Sequence, residues 1–137
     1  MAKDCIFCKI IEGKMPCEKI YEDEETFAFL DISPVNHGHT LIIPKKHARN
    51  VFDISEKDFL SVMRTVRKLA PIIKEATKAD GENVVMSNEK AGNQEVFHLH
   101  VHIIPRYNGD HKSKGFVYEK YKEGEMEKVA KKIKANL

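Results

Sequence analysis

The sequence predicts an α+β fold, a mainly antiparallel five-stranded sheet with one long helix and short terminal helices. Three observations predict it. Five short β-prone runs are separated by turn residues, a single long stretch between them has helical periodicity, and the last run alternates histidine with large apolar residues. A length of 137 residues suits one domain with a proper core, expected to span 1–137, the tail from about 108 included.

Taken in order, Cys5 to Gly13 is short, ends at Gly-Lys-Met-Pro and reads as a turn of helix or a knuckle. Lys19–Tyr21 and Thr26–Leu30 are β-prone and flank the acidic Glu22–Glu25, which predicts a hairpin. A loop follows over Ser33–Gly38. Thr40–Ile43 is then a short apolar strand stopped by Pro44. Ser55, with Asp58 three residues on, is placed as the N-cap of a helix reaching about Lys78. Phe59, Val62, Met63, Val66, Leu69, Ile72, Ile73 and Ala76 recur there at helical spacing, and Pro71 is expected to kink or split it. Asn83–Ser87 and Val96–Pro105 are the last predicted strands, and Met126–Leu137 is a terminal helix whose Lys128–Lys134 run reads as a solvated face.

Composition narrows the function classes. With 23 Lys plus Arg against 21 Asp plus Glu, the net charge is only +2, and no basic stripe is interleaved with aromatics, so no nucleic-acid partner is expected. No apolar run approaches the ~18 residues of a membrane span, and the first ten residues lack the apolar core of a signal peptide. An intracellular, cytoplasmic protein with no membrane partner is expected. The three cysteines, Cys5, Cys8 and Cys17, are too few and odd in number for a disulfide framework.

The chemistry concentrates in Val96–Ile104, where His98, His100 and His102 occupy alternate positions. Strand alternation puts the three imidazoles on one face and Phe97, Leu99, Val101 and Ile103 on the other. Such a row suits either a chelated catalytic metal or a neutral imidazole nucleophile flanked by anion-binding partners. Cys5-x-x-Cys8 brings two thiolates within reach of one ion, and tetrahedral zinc then needs two further N or S ligands, which histidines would supply. A redox pair is the rival reading, but the βαβ setting that such a motif normally occupies is missing. The polar loop Asn88–Gln94 runs into the histidine segment and offers backbone N–H groups where an oxyanion would fit.

Three blocks carry a family resemblance: Ala28–Phe29–Leu30–Asp31–Ile32–Ser33–Pro34, then Gly38–His39–Thr40–Leu41–Ile42–Ile43–Pro44–Lys45–Lys46–His47, then Gln94 to His102. The chain resembles the histidine triad (HIT) family of nucleotide hydrolases and transferases, in its small nucleoside-phosphoramidase-like branch, from Cys5 to about Tyr107. The resemblance implies a HIT-like fold, a homodimer and a purine nucleotide (AMP-like) substrate. It implies attack of His100 on the α-phosphorus, a covalent nucleotidyl-histidine and release of the nucleoside monophosphate. His102 is implied to hold the phosphate and help protonate the leaving group, and His39 to support the network. Cys5, Cys8, His47 and His98 are implied to form a structural Zn2+ site, leaving His100 free.

For the nucleotide, the resemblance implies Asp31 on the ribose hydroxyls, Phe29, Ile32 and Met15 in the purine pocket, and Asn88, Asn93, Gln94 and Glu95 around ribose and phosphate. Two residues depart from the family pattern. Asn93 stands where relatives often have glycine, and Glu95 where some have a serine that donates to the leaving group, which an ionised carboxylate cannot do. Two other classes stay open: a purine-nucleotide-binding module without turnover, and a metal-dependent hydrolase that uses all three histidines as ligands.

Overall fold

The computed structural model describes residues 4–112 and 117–137, so two short stretches of the predicted 1–137 span lie outside it. Its elements are α1 (Ile6–Ile11), β1 (Lys19–Glu22), β2 (Thr26–Leu30), β3 (Thr40–Pro44), α2 (Glu56–Thr77), β4 (Gly81–Met86), β5 (Val101–Arg106) and α3 (Glu125–Lys134). The five strands form one sheet in the order β1-β2-β3-β5-β4, every neighbouring pair antiparallel. The α+β, five-stranded expectation is met.

The β1–β2 hairpin turns on Asp23, whose Oδ1 accepts the backbone N–H groups of Glu25 and Thr26 at 2.8 and 2.7 Å. A carboxylate closing the turn onto its own following amides explains why an acidic run sits there. Ser55 caps α2 by accepting the Asp58 N–H at 3.1 Å, as its spacing predicts. Lys78, in the left-handed conformation, ends the helix.

One face of the sheet packs on α2: Val62, Val66, Leu69 and Ile73 meet Ala28, Ile42, Leu99, Val101 and Ile103. On the opposite face Phe27, Phe29, Leu41 and Ile43 are covered by Phe7 and Ile10 of α1. Central strands buried on both faces read as continuous apolar runs, as Thr40–Pro44 does.

Three expectations are corrected. Pro71 does not split helix α2, which is continuous from Glu56 to Thr77; the proline lies on the exposed side, where water can serve the carbonyl that loses its partner. On the same helix Ile72 and Ala76 are exposed, because the face that meets the sheet is narrower than the apolar list implies. The last strand begins at Val101, not Val96: residues 96–98 bend, and the Leu99 N–H donates to the Ala48 carbonyl instead of a strand partner. His98 and His100 therefore precede the strand, and Phe97 is 38% exposed instead of buried. Among the described residues no helix is long and apolar enough to cross a membrane.

Candidate functional site

The strand register assembles one face of the site. Phe29 pairs with Leu41 and Leu41 with His102, so these three form a row across β2, β3 and β5. His39 lies two residues before Leu41, diagonal to His102, and the Asp31 N–H donates to the His39 carbonyl at 2.9 Å. Phe7 sets its ring edge-on to Phe29, His98 and His100, with centroids 5.4, 5.9 and 5.1 Å away.

Each triad histidine has its proton placed by a partner of fixed character. The His98 ring nitrogen Nε2 lies 2.8 Å from the Pro44 carbonyl. A carbonyl only accepts, so Nε2 carries the proton and Nδ1 the lone pair. Nδ1 of His100 lies 2.8 Å from the His98 carbonyl, which places the proton on Nδ1 and the lone pair on Nε2. For His102 the placement is relayed. The Val35 N–H donates to His39 Nδ1 at 3.0 Å, so neutral His39 bears its proton on Nε2, and that proton meets His102 Nδ1 at 2.8 Å. His102 is left with its N–H on Nε2. Two neighbours, ring centroids 4.9 Å apart, thus offer opposite functions at Nε2, a lone pair on His100 and a donor on His102.

Burial holds all of these rings neutral. His102 is pushed down to about 4, chiefly by burial and then by the neighbouring His100 and His39, with Asp31 opposing. His98 is also pushed down to about 4, again chiefly by burial. His39 and His100 are lowered for the same first reason, with Asp31 opposing in both.

The second constellation joins Cys5, Cys8, His47 and His98, whose ligand atoms all lie within 4.8 Å of one another. Cys5 caps α1 by accepting the Cys8 N–H on Sγ at 3.4 Å, which turns both thiols the same way. Cys5 Sγ and Cys8 Sγ lie 3.3 and 3.6 Å from His98 Nδ1, and His47 Nδ1 lies 3.4 Å from Cys8 Sγ and 3.1 Å from His98 Nδ1. Ligands held about 2.0–2.3 Å from a tetrahedral centre stand about 3.3–3.8 Å apart, so the spacing fits one zinc ion. The fixed His98 proton aims its lone pair inward, as an outer partner does for a metal-bound histidine. Asp31, His39 and His102 also cluster, but there the two facing ring nitrogens are occupied by each other.

The loop before the triad is tied to the segment after β3. All four hydrogen-bonding positions of the buried Gln94 amide are used within the protein: Oε1 accepts from Asn50 Nδ2 and the Glu89 N–H, and Nε2 donates to the Arg49 and Val96 carbonyls. Asn88 Oδ1 accepts the Val51 N–H at 2.9 Å. Asn93 sits in the left-handed region at φ 68, the conformation that favours glycine and that asparagine tolerates, which accounts for its place in a glycine position. Glu95 is exposed and, with Asp31, acts electrostatically on His100. Of the residues assigned to the purine, Phe29 is buried beside Phe7, Met15 is part-exposed and Ile32 is 96% exposed.

Sequence reasoning passed over several participants. Phe7 was visible as the apolar residue inside Cys5-x-x-Cys8. The Pro44 and His98 carbonyls and the Val35 amide carry no side-chain signal.

A model of the HIT domain matches residues 12–109. An uncharacterised HIT-like protein of Methanocaldococcus jannaschii is 42% identical over 130 residues, 95% of this chain and 98% of that protein. An adenosine 5'-monophosphoramidase of Schizosaccharomyces pombe is 40% identical over 110 residues, covering 78% of this chain and 77% of its own. Among solved structures, a protein from Streptococcus mutans superposes with TM-score 0.93 at 40% identity, over 99% of this chain and 87% of that one. A zinc-bound histidine triad family protein from Mycobacterium smegmatis superposes with TM-score 0.78 at 34% identity, over 98% of both chains. By domain match, sequence and fold, the chain belongs to the HIT domain family.

Proposed function

We propose that this chain is a nucleotide hydrolase that works through a covalent nucleotidyl-histidine, on AMP-linked substrates such as an adenosine phosphoramidate or a dinucleoside polyphosphate. The observation that carries the reading is the opposed pair of ring nitrogens, a lone pair at His100 Nε2 beside an N–H at His102 Nε2. The name of the fission-yeast relative supports the phosphoramidate class.

In this mechanism His100 Nε2 attacks the α-phosphorus while its Nδ1–H stays on the His98 carbonyl, so positive charge developing on the ring is met by an acceptor. The P–Nε2 bond forms as the bond to the leaving group breaks. His102 Nε2–H donates to a non-bridging oxygen, where negative charge accumulates. The leaving group takes a proton from solvent, because the single His102 Nε2–H is engaged by the non-bridging oxygen. Water then attacks phosphorus and breaks the P–Nε2 bond. It returns one proton to solvent, and the nucleoside monophosphate departs.

Asp31 accepts from the ribose hydroxyls, and Phe29, Ile32 and Met15 border the base. Asn88, Asn93, Gln94 and Glu95 border ribose and phosphate, Gln94 through its backbone since its amide is engaged. Cys5, Cys8, His47 and His98 would hold one structural zinc, and the bound ion would tie α1 to the segment after β3 and the segment before β5. Residues 1–137 act as one domain in a homodimer. Its formation is favoured by the exposed apolar Val84 and Val85 on the β4 edge strand, which has a single neighbour in the sheet.

His100→Ala is the test. AMP should still bind, turnover of an adenosine phosphoramidate should be abolished, and a substrate radiolabelled in its nucleotide should no longer label the protein. Turnover close to that of the unsubstituted protein would refute the mechanism.

A further inference from the structure

The Val35 N–H, in a loop with no regular structure, makes His39 Nδ1 an acceptor and so directs the proton arrangement of His39 and His102, with the Asp31 carboxylate 3.6 Å from His39 Nε2 favouring the same tautomer. Whatever fixes that loop fixes the chemistry downstream of it. Beside the backbone bond from the His39 N–H to the Asn36 carbonyl at 3.0 Å, a carboxylate outside the HIT motif blocks ties that loop to the end of β5. Asp110 accepts on Oδ2 from Arg106 Nε at 2.9 Å, the Tyr107 N–H at 3.0 Å and Asn36 Nδ2 at 3.1 Å. On Oδ1 it accepts from Arg106 Nη2 at 2.6 Å and the Lys112 N–H at 3.0 Å.

Five donors on one carboxylate anchor the loop to the end of β5 in two ways. Asn36, the residue after Val35, is held by Asp110 and by the Pro105 carbonyl at 2.8 Å. Lys112, whose backbone Asp110 grips, sends Nζ to the Val35 carbonyl at 2.7 Å. Val35 is thus gripped at its own carbonyl and at the following side chain while its N–H points to His39.

We propose that Asp110 is a positioning residue: through Asn36 and Lys112 it holds the Val35 amide on His39 Nδ1 and so keeps the His102 proton on Nε2, facing the phosphate. This rests on the reading of His102 given under Proposed function. With the Val35 amide withdrawn, His39 can carry its proton on Nδ1. His39 Nε2 then accepts from His102 Nδ1, and His102 presents a lone pair to an anionic oxygen, a repulsive contact in place of a hydrogen bond.

The experiment compares Asp110→Ala and Lys112→Met with the unsubstituted protein. Long-range proton–nitrogen NMR of the histidine rings is recorded without substrate, and kcat and KM are measured on an adenosine phosphoramidate. The unsubstituted protein should show one protonated and one bare nitrogen in each of the two rings. Asp110→Ala should average the nitrogen signals of His39 and His102 and lower kcat about three- to tenfold with KM within about twofold, a fraction of what losing a whole oxyanion donor costs. Lys112→Met alters only an exposed side chain and should shift both readouts the same way by less, so it serves if Asp110→Ala does not fold. A lower melting temperature with unchanged ring signals and kcat would make Asp110 merely structural and overturn the proposal. Absence of turnover in the unsubstituted protein would instead defeat the functional reading, while the ring signals would still decide the role of Asp110.

Discussion

Gly38→Ala is expected to destabilise the fold by about 3 kcal/mol, through two causes that can be separated. Gly38 has φ +94, and an L-residue held at positive φ costs about 1–2 kcal/mol. A Cβ built there would also lie 2.5 Å from Thr77 Cγ2, an overlap no packed structure tolerates. The methyl cannot swing aside cheaply, because the Thr77 hydroxyl donates to the Ile73 carbonyl at 2.7 Å and so fixes the rotamer. Relieving such an overlap by shifting backbone costs about 1–3 kcal/mol. Urea unfolding followed by circular dichroism, in a double-mutant cycle with Thr77→Ser, separates the two. Serine keeps the hydroxyl and removes Cγ2, so Gly38→Ala in that background should cost about 1–2 kcal/mol less. A total cost under about 0.5 kcal/mol would refute the conformational argument, and equal costs in the two backgrounds would refute the steric one.

Protein purified without chelators should contain roughly one zinc per chain by elemental analysis; Cys8→Ser should lose it and melt lower, and metal-free protein would remove the site. His39, lowered below its ordinary value chiefly by burial, gives a pH dependence of opposite sign to an ion-paired histidine. Its folded form prefers to be neutral, so its contribution is complete above the unfolded value of about 6.5 and is lost as pH falls through that value toward the folded one. Stability measured from pH 7.5 to 5 should fall, with a shallower slope in His39→Asn; identical slopes would contradict this. Val84→Lys should shift the protein to monomer on size-exclusion chromatography with light scattering, and an unshifted dimer would place the interface elsewhere.

The parts of the fold and site legible in the sequence are those written in side-chain pattern. The Ser55 cap, the β1–β2 hairpin and the apolar run of β3 follow from local chemistry that the tertiary structure does not override. The Cys5, Cys8, His47 and His98 cluster was legible through the family resemblance, because ligand identity lies in the side chains. Illegible were the facts set by main-chain pairing and by contacts between residues distant in sequence. Alternation from Val96 to Ile104 mimics a strand, yet the ladder starts at Val101 because Leu99 pairs with a loop carbonyl. Gln94 reads as a ligand-facing amide, but spacing cannot tell that four partners inside the protein already occupy it. Asp110 stands apart from every motif block, and only folding brings it against Asn36.

The carbonyls of Pro44 and His98 and the amide of Val35 belong to the peptide chain, present whatever side chain stands at those positions. Substitution at those positions changes them only by moving the backbone or, for the amide, by introducing proline. A lineage of such proteins can therefore exchange exposed side chains around the site, such as Glu95, while the wiring beneath stays the same. Diversification of substrate and preservation of reactivity fall to different parts of the polymer, and selection can act on the first without disturbing the second.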